Sequence, residues 1–183
     1  MDFVFEPREE RLRNGRRVGL RLAGPQDEVA YLQAFDRLSP EARYMRFMRV
    51  VREPNREALR RMLASFPERG FALVAVDSVA RQAAIVGSAL CMSAREAKSG
   101  EFAMTVASEY GRAGLGRLLL STLIELARQR GLGEITGYVL AANQPMLRLA
   151  RRMGFVIAPD PDDSSARVCR LRLIAKSGTD PDS

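Results

Sequence analysis

The chain has 183 residues, 46% hydrophobic and 28% charged, which is the profile of one soluble globular domain long enough to bury a sizeable core. It has no histidine and only two cysteines, Cys91 and Cys169, so a histidine base and a Cys/His zinc site are excluded, and no metal is expected. No apolar run approaches the roughly 18–20 residues of a membrane span and the N-terminus lacks a signal-peptide core, so a cytoplasmic protein with no membrane contact is expected.

The net charge of +7 comes almost wholly from arginine. With no tryptophan and scattered phenylalanines, it reads as a solvated surface, or as attraction for a phosphate-rich ligand or an acidic partner, rather than a nucleic-acid module. Residues 1–16 are polar and read as a loosely held lead-in. Residues 17–174 read as a single domain, and residues 175–183 as a frayed tail.

The first alternating run is Arg17–Ala23, with Val18, Leu20 and Leu22 on one face. Gly24-Pro25 breaks it and opens a helix carrying Val29, Leu32, Phe35 and Leu38. Ser39 caps a short helix over Glu41–Met48, and Pro54-Asn55 starts a third, with Leu59, Met62, Leu63 and Phe66 inward. Two strands follow, Phe71–Val76 and Ala83–Met92, joined by a turn at Asp77–Gln82. Gly87 inside the second signals a bulge or a close approach. After a polar loop, Glu101–Val106 is a strand, then a glycine-rich turn at residues 111–116, then an amphipathic helix with Leu115, Leu118, Leu119, Leu123 and Leu126 on its stripe. Gly131-Leu132-Gly133 stops that helix. Glu134–Leu140 is a strand, Asn143 caps a helix with Met146, Leu147, Ala150 and Met153 periodic, and Arg167–Ile174 alternates as the last strand. A run of strands feeding a βαβ unit predicts an α/β (α+β) fold, a mixed sheet with helices on both faces.

Strand, glycine-rich turn and helix N-terminus together form an anion holder. The first helical N–H groups have no acceptor, the helix end is partly positive, and glycine admits close approach. The turn Gly111-Arg112-Ala113-Gly114-Leu115-Gly116-Arg117 lacks the Gly-Lys-Ser/Thr ending of a Walker loop. Its glycines run GxxGxG, the wrong order for a dinucleotide fingerprint. With Val106-Ala107-Ser108-Glu109-Tyr110 before it, the segment resembles the acyl-coenzyme-A loop of the GNAT N-acetyltransferase superfamily. It departs in having Gly111 where Gln or Arg is usual. The stretch Leu38-Ser39-Pro40-Glu41-Ala42-Arg43-Tyr44-Met45-Arg46-Phe47, with Val139–Met146 and Gly154-Phe155, is similar to the catalytic domain of bacterial protein lysine acetyltransferases. Those relatives often carry a nucleotide-sensing or synthetase-like domain, for which this sequence shows no segment.

The resemblance implies the GNAT fold, mostly antiparallel, whose strands on either side of the central helix splay apart to hold the acyl arm. It implies acetyl-CoA as cosubstrate, held by Met104, Thr105 and Val106, by Gly111, Arg112, Ala113, Gly114, Leu115, Gly116 and Arg117, and by Asn143 and Met146. Glu101 matches the general base, and its side chain should point into the opened cleft and be partly buried there. A lysine amine is neutral in only about one molecule in a few thousand at pH 7, so a positioned carboxylate matters. A backbone N–H near Thr105 or Val106 would receive the developing oxyanion charge. The usual late-helix tyrosine acid is replaced by Ala150, leaving Ser108, Tyr110 and Tyr138 as candidates. The expected acceptor is a protein lysine. A small amine such as a polyamine, amino acid or aminoglycoside stays open, as do a non-catalytic acyl-CoA-binding module and a homodimer.

Overall fold

The computed structural model describes residues 5–77, 84–94 and 97–173. In chain order the elements are β1 (Arg8–Arg11), β2 (Arg17–Leu22), α1 (Glu28–Asp36), α2 (Pro40–Phe47), α3 (Arg56–Ala64), β3 (Gly70–Asp77), β4 (Ile85–Met92), β5 (Ser99–Val106), α4 (Leu115–Gln129), β6 (Glu134–Leu140), α5 (Gln144–Arg152), β7 (Val156–Pro159) and β8 (Ala166–Arg172). Single 3-10 turns at Pro25–Asp27 and Ser108–Tyr110 lead into α1 and toward α4.

The strands form one eight-stranded sheet in the order β1-β2-β3-β4-β5-β6-β8-β7. Every pairing is antiparallel except β5 with β6, which α4 connects. This is the mixed, mostly antiparallel GNAT architecture expected. One expectation is corrected: residues 8–11 are not a loose lead-in but the edge strand β1, laddered from Arg8↔Leu20 to Arg11↔Arg17, with Leu12 buried in the core behind it. A polar edge strand shows no hydrophobic alternation, which is why the sequence hides it. The expected tail, and all but Asp77 of the expected Asp77–Gln82 turn, lie outside the described residues.

Helices cover both faces, so β3 is apolar without interruption from Phe71 to Val76. Phe71, Leu73 and Ala75 face α4, in a core with Leu119, Leu120, Leu123 and Ile124. Ala72 and Val74 face the other way, onto Leu63 of α3 with Tyr31 and Ala34 of α1. Full burial of each α4 leucine contributes about 1.5–3 kcal/mol. Gly87 proves to be a close approach: a Cβ there would stand 2.9 Å from Leu119 Cδ1. The β3–β4 register also shifts beside it, between Ala75 and Val76. Cys91 and Cys169 are buried free thiols, as expected.

Candidate active site

The parallel ladder between β5 and β6 has only three rungs, Ser99↔Glu134, Gly100↔Ile135 and Glu101↔Thr136. Beyond Glu101 the strands part. A close packing contact lies at the next residue. Phe102 turns its ring onto Gly137 of β6, where a Cβ would lie 2.4 Å from ring atom Cε1. The same ring packs against Phe155, centroids 5.1 Å apart. The aromatic ring thus covers the α4 face of β6 where the two strands diverge.

The gap opens into a cleft of about 670 Å³ that passes through the sheet. On one side it is lined by Met104, Val106, Met146 and Leu149, and on the other by Ala42, Met45 and Arg46 of α2. At its floor lies the start of α4. Gly114 is the N-cap at φ +92°, a conformation that favours glycine, and it has no side chain to close the helix end. The N–H groups of Leu115, Gly116 and Arg117 therefore have no intrahelical acceptor. Two other N–H groups of the turn are taken: Gly111 donates to Ser108 O at 3.0 Å and Ala113 to Tyr110 O at 3.4 Å. Arg13, Arg112, Arg117, Arg148 and Arg152 also line the cleft.

The structure brings together Met104, Thr105, Val106, Gly111, Arg112, Gly114, Gly116, Arg117, Asn143 and Met146 along the cleft. Ala113 and Leu115 are not on its wall. Both side chains are buried in the core, so they reach the cleft only through backbone, and Ala113 N–H is already engaged. Asn143 does two things at once: its Oδ1 accepts from Met146 N at 3.3 Å as the α5 cap, and it lines the cleft. Arg112 holds φ +61°, a left-handed backbone unusual for a side-chain-bearing residue.

Glu101 stands on the last rung, at the point where the strands separate. Because Phe102 packs toward α4, strand alternation turns Glu101, Ala103 and Thr105 to the face of α1–α3. Glu101 is exposed there, so the partial burial expected for it is absent, and it borders the cleft rather than lining it. Arg46, half-buried on α2, lies within its electrostatic reach, and burial lowers the Arg46 pKa against the opposing charges of Tyr31 and Glu101.

The tyrosines separate cleanly. Tyr110 is buried, and its hydroxyl donates to Asp77 Oδ2 at 2.7 Å. Burial, then that hydrogen bond, raises its pKa. Tyr138 is half-exposed on the cleft wall, two residues beyond Thr136 and so on the same sheet face as Glu101. Strand alternation also sorts the backbone donors. Ala107 N–H donates to Val86 O at 2.9 Å, so Thr105 N–H turns toward β4, while those of Met104 and Val106 turn to the gap. Arg13, Arg148 and Arg152 escape a sequence reading, whereas Met45 and Arg46 lie in the stretch 38–47 that carries the resemblance. Only the spacing of Arg148 and Arg152, four apart on one helix face, offered a signal. No cluster of metal-ligating side chains exists among the described residues, and no helix among them is long and apolar enough to cross a membrane.

The chain matches the model of the "Acetyltransferase (GNAT) family" over residues 30–155. It is 32% identical over 167 residues to a curated Pseudomonas aeruginosa acetyltransferase, covering 90% of this chain and 88% of that one. Among solved structures it is similar to the GNAT domain of S. lividans PAT, with a TM-score of 0.81 at 17% identity, over 91% of this chain and 97% of that one. It is also similar to a Salmonella typhimurium acetyltransferase solved with its cofactor acetyl-CoA, with a TM-score of 0.64 at 20% identity, over 90% and 99% of the two chains.

Proposed function

The chain belongs to the GNAT acetyltransferase family, and from that premise we propose that it is an acetyl-CoA-dependent N-acetyltransferase with Glu101 as general base. The observation that supports this best is the end of the β5–β6 ladder at Glu101, above a floor of unpaired α4 N–H groups in a cleft lined by arginines. These residues fit a diphosphate-bearing coenzyme. The N–H groups of Leu115, Gly116 and Arg117 and the side chains of Arg112 and Arg117 would hold its phosphates. Met104, Val106, Asn143 and Met146 would hold its arm, and Thr105 would back the gap from the far face. Bound there, acetyl-CoA supplies a thioester carbon to which the amine nitrogen bonds as the C–S bond breaks.

The chain's own residues then do three things. Glu101 takes a proton from the incoming ammonium, directly or through water, a contribution on the order of 10²–10⁴-fold. The Val106 or Met104 N–H donates to the carbonyl oxygen as its charge grows. Tyr138 donates a proton to the leaving sulfur, since the Tyr110 hydroxyl is committed to Asp77.

Two acceptor classes compete. The resemblance of residues 38–47 speaks for a protein lysine. An open arginine platform would fit that acceptor, and a closed acidic pocket would fit a polycation. The α1–α3 side carries instead a mostly apolar cavity of about 370 Å³, which favours a small amine.

The deciding experiment measures acetyl-CoA binding by calorimetry and coenzyme thiol release with an amine panel. Glu101→Gln is expected to keep binding and lose about 10²-fold or more in kcat. Unchanged turnover removes Glu101 from the mechanism. Binding without transfer to any amine, even at high pH, leaves a non-catalytic acyl-CoA module.

A further inference from the structure

The tip of the β1–β2 hairpin ends against the glycine-rich turn. Its own hydrogen bonds fix its shape. Leu12 N–H donates to Arg16 O at 2.8 Å, Gly15 N–H donates to Leu12 O at 2.9 Å, and Asn14 Oδ1 accepts from Arg16 N–H at 3.2 Å. The tip is also tied to the turn. Leu12 is buried in one core with Tyr110 and Ala113. Arg13 N–H donates to Ala113 O at 3.0 Å. The Arg16 guanidinium lies over the Tyr110 ring, 4.7 Å from its centroid.

Those ties leave the Arg13 side chain on the cleft. It crosses Gly114, the N-cap of α4: a Cβ built there would stand 3.7 Å from Arg13 Cγ and Nε and 3.8 Å from Cδ. The guanidinium therefore starts at the helix end, where the N–H groups of Leu115, Gly116 and Arg117 lack intrahelical acceptors. Arg13 is exposed, and among the described residues its side chain has no hydrogen bond and no ion pair. Gly111, Gly114 and Gly116 bring no side chains of their own, so a side-chain donor above the N-cap has to come from another segment.

We propose that Arg13 is a coenzyme-binding residue whose guanidinium closes over a diphosphate seated on the α4 N-terminus, so that the hairpin tip is one wall of the diphosphate site. The inference rests on the acetyl-CoA reading and adds a contact from outside the glycine-rich turn. Helix N–H groups hold phosphate oxygens from one side. A guanidinium offers a rigid fork of donors to the oxygens left over, and its charge offsets theirs. The backbone bond to Ala113 O fixes where the side chain begins, so binding has only its outer torsions to order. The two arginines of the tip divide the work: Arg16 packs on Tyr110 and steadies the hairpin, and Arg13 meets the ligand.

The test is calorimetric titration of the purified full chain with CoA and with 3′-dephospho-CoA, which keeps the diphosphate. Arg13→Gln retains the backbone bond to Ala113 O and is expected to melt with the wild type. It is expected to weaken both ligands alike, by about tenfold to a hundredfold, the worth of a charge-assisted contact. Arg13→Lys returns the charge without the fork and is expected to recover part of the loss. Arg17→Gln removes an equal charge from an exposed β2 position off the cleft, and is expected to stay within about twofold of wild type because solvent and salt screen it. Unchanged affinity in Arg13→Gln would overturn the proposal. So would an equal loss in Arg17→Gln, which would make the effect one of overall charge. A loss with CoA that vanishes with dephospho-CoA, or dephospho-CoA that does not bind the wild type, would move the contact to the 3′-phosphate and overturn it too. An Arg13→Gln chain that is misfolded or melts early, with no recovery in Arg13→Lys, would make the side chain structural and sink the proposal. Failure of the wild type to bind CoA at all would overturn the acetyl-CoA reading as well.

Discussion

Gly137→Ala tests whether the Phe102 ring is what separates β5 from β6. The new Cβ would lie 2.4 Å from Cε1, 2.6 Å from Cζ and 2.9 Å from Cδ1 of Phe102, where ordinary contact begins at 3.4 Å. The ring would have to retreat by about 1 Å, the shortfall at its nearest atom. Phe102 is only 3% exposed and rests on Phe155, so there is no free space behind it. Overpacking of this kind costs about 1–3 kcal/mol. For a chain of this length each kcal/mol moves Tm by about 2–4 °C, so a fall of about 2–12 °C is expected. Far-UV circular dichroism melts measure it, and calorimetric titration with acetyl-CoA should show weaker binding as the gap deforms. Phe102→Leu removes part of the ring, so Phe102→Leu/Gly137→Ala should be more stable than the two single costs added together, with a coupling of about 0.5–3 kcal/mol. A Tm within about 1 °C of wild type, or strictly additive costs, would show that the ring does not hold the strands apart.

Arg112→Gly removes a left-handed side-chain-bearing residue, so it should raise stability by about 1 kcal/mol in chemical denaturation while weakening acetyl-CoA binding; stability and affinity moving together would refute the trade. Tyr138→Phe should lower kcat with acetyl-CoA affinity unchanged, whereas Ser108→Ala should leave both alone; equal kcat removes the proposed acid. Asp27 gives an acid-limb prediction. Burial by itself would raise the Asp27 pKa, but hydrogen bonds from Arg21 at 2.6 and 2.9 Å and from Gly24 N–H at 2.9 Å outweigh it and hold the carboxyl below its ordinary value. A depressed carboxyl stabilises the fold above the unfolded value of about 3.9 and loses that contribution as pH falls through the native value. Wild-type denaturant midpoints should therefore decline below about pH 4. Asp27→Asn should cost about 1–2 kcal/mol at pH 7, the lower part of the range because the Arg21 side chain is one-third exposed, and should flatten the acid limb. A variant as pH-sensitive as wild type would show that another group governs it.

The local features were legible because short-range physics makes them. The α4 stripe, the glycine-rich turn before it, the Asn143 cap and the strand from Glu101 each depend on residues within a few positions of one another. The same holds for the loop that marks the family. Long-range pairing decided the rest. Whether Glu101 falls on the last rung depends on register with β6, some thirty-five residues later. The ring of Phe102 meets a glycine across the gap, and no periodicity in either strand records that meeting. Ala113 and Leu115 belong to the loop in sequence but to the core in space, because the turn presents backbone to the cleft and side chains to α4's packing face. The arginine lining of the cleft draws Arg13 from beside the edge strand and Arg148 and Arg152 from α5, segments brought together only when the sheet closes around α4. The glycine-rich turn before the helix thus announced an anion, and hydrophobic period announced the elements. The placing of Arg46 and Thr105 on both the cleft and the apolar cavity arose only from how α2 docks on the sheet, since burial of faces, not sequence proximity, sets where a helix comes to rest.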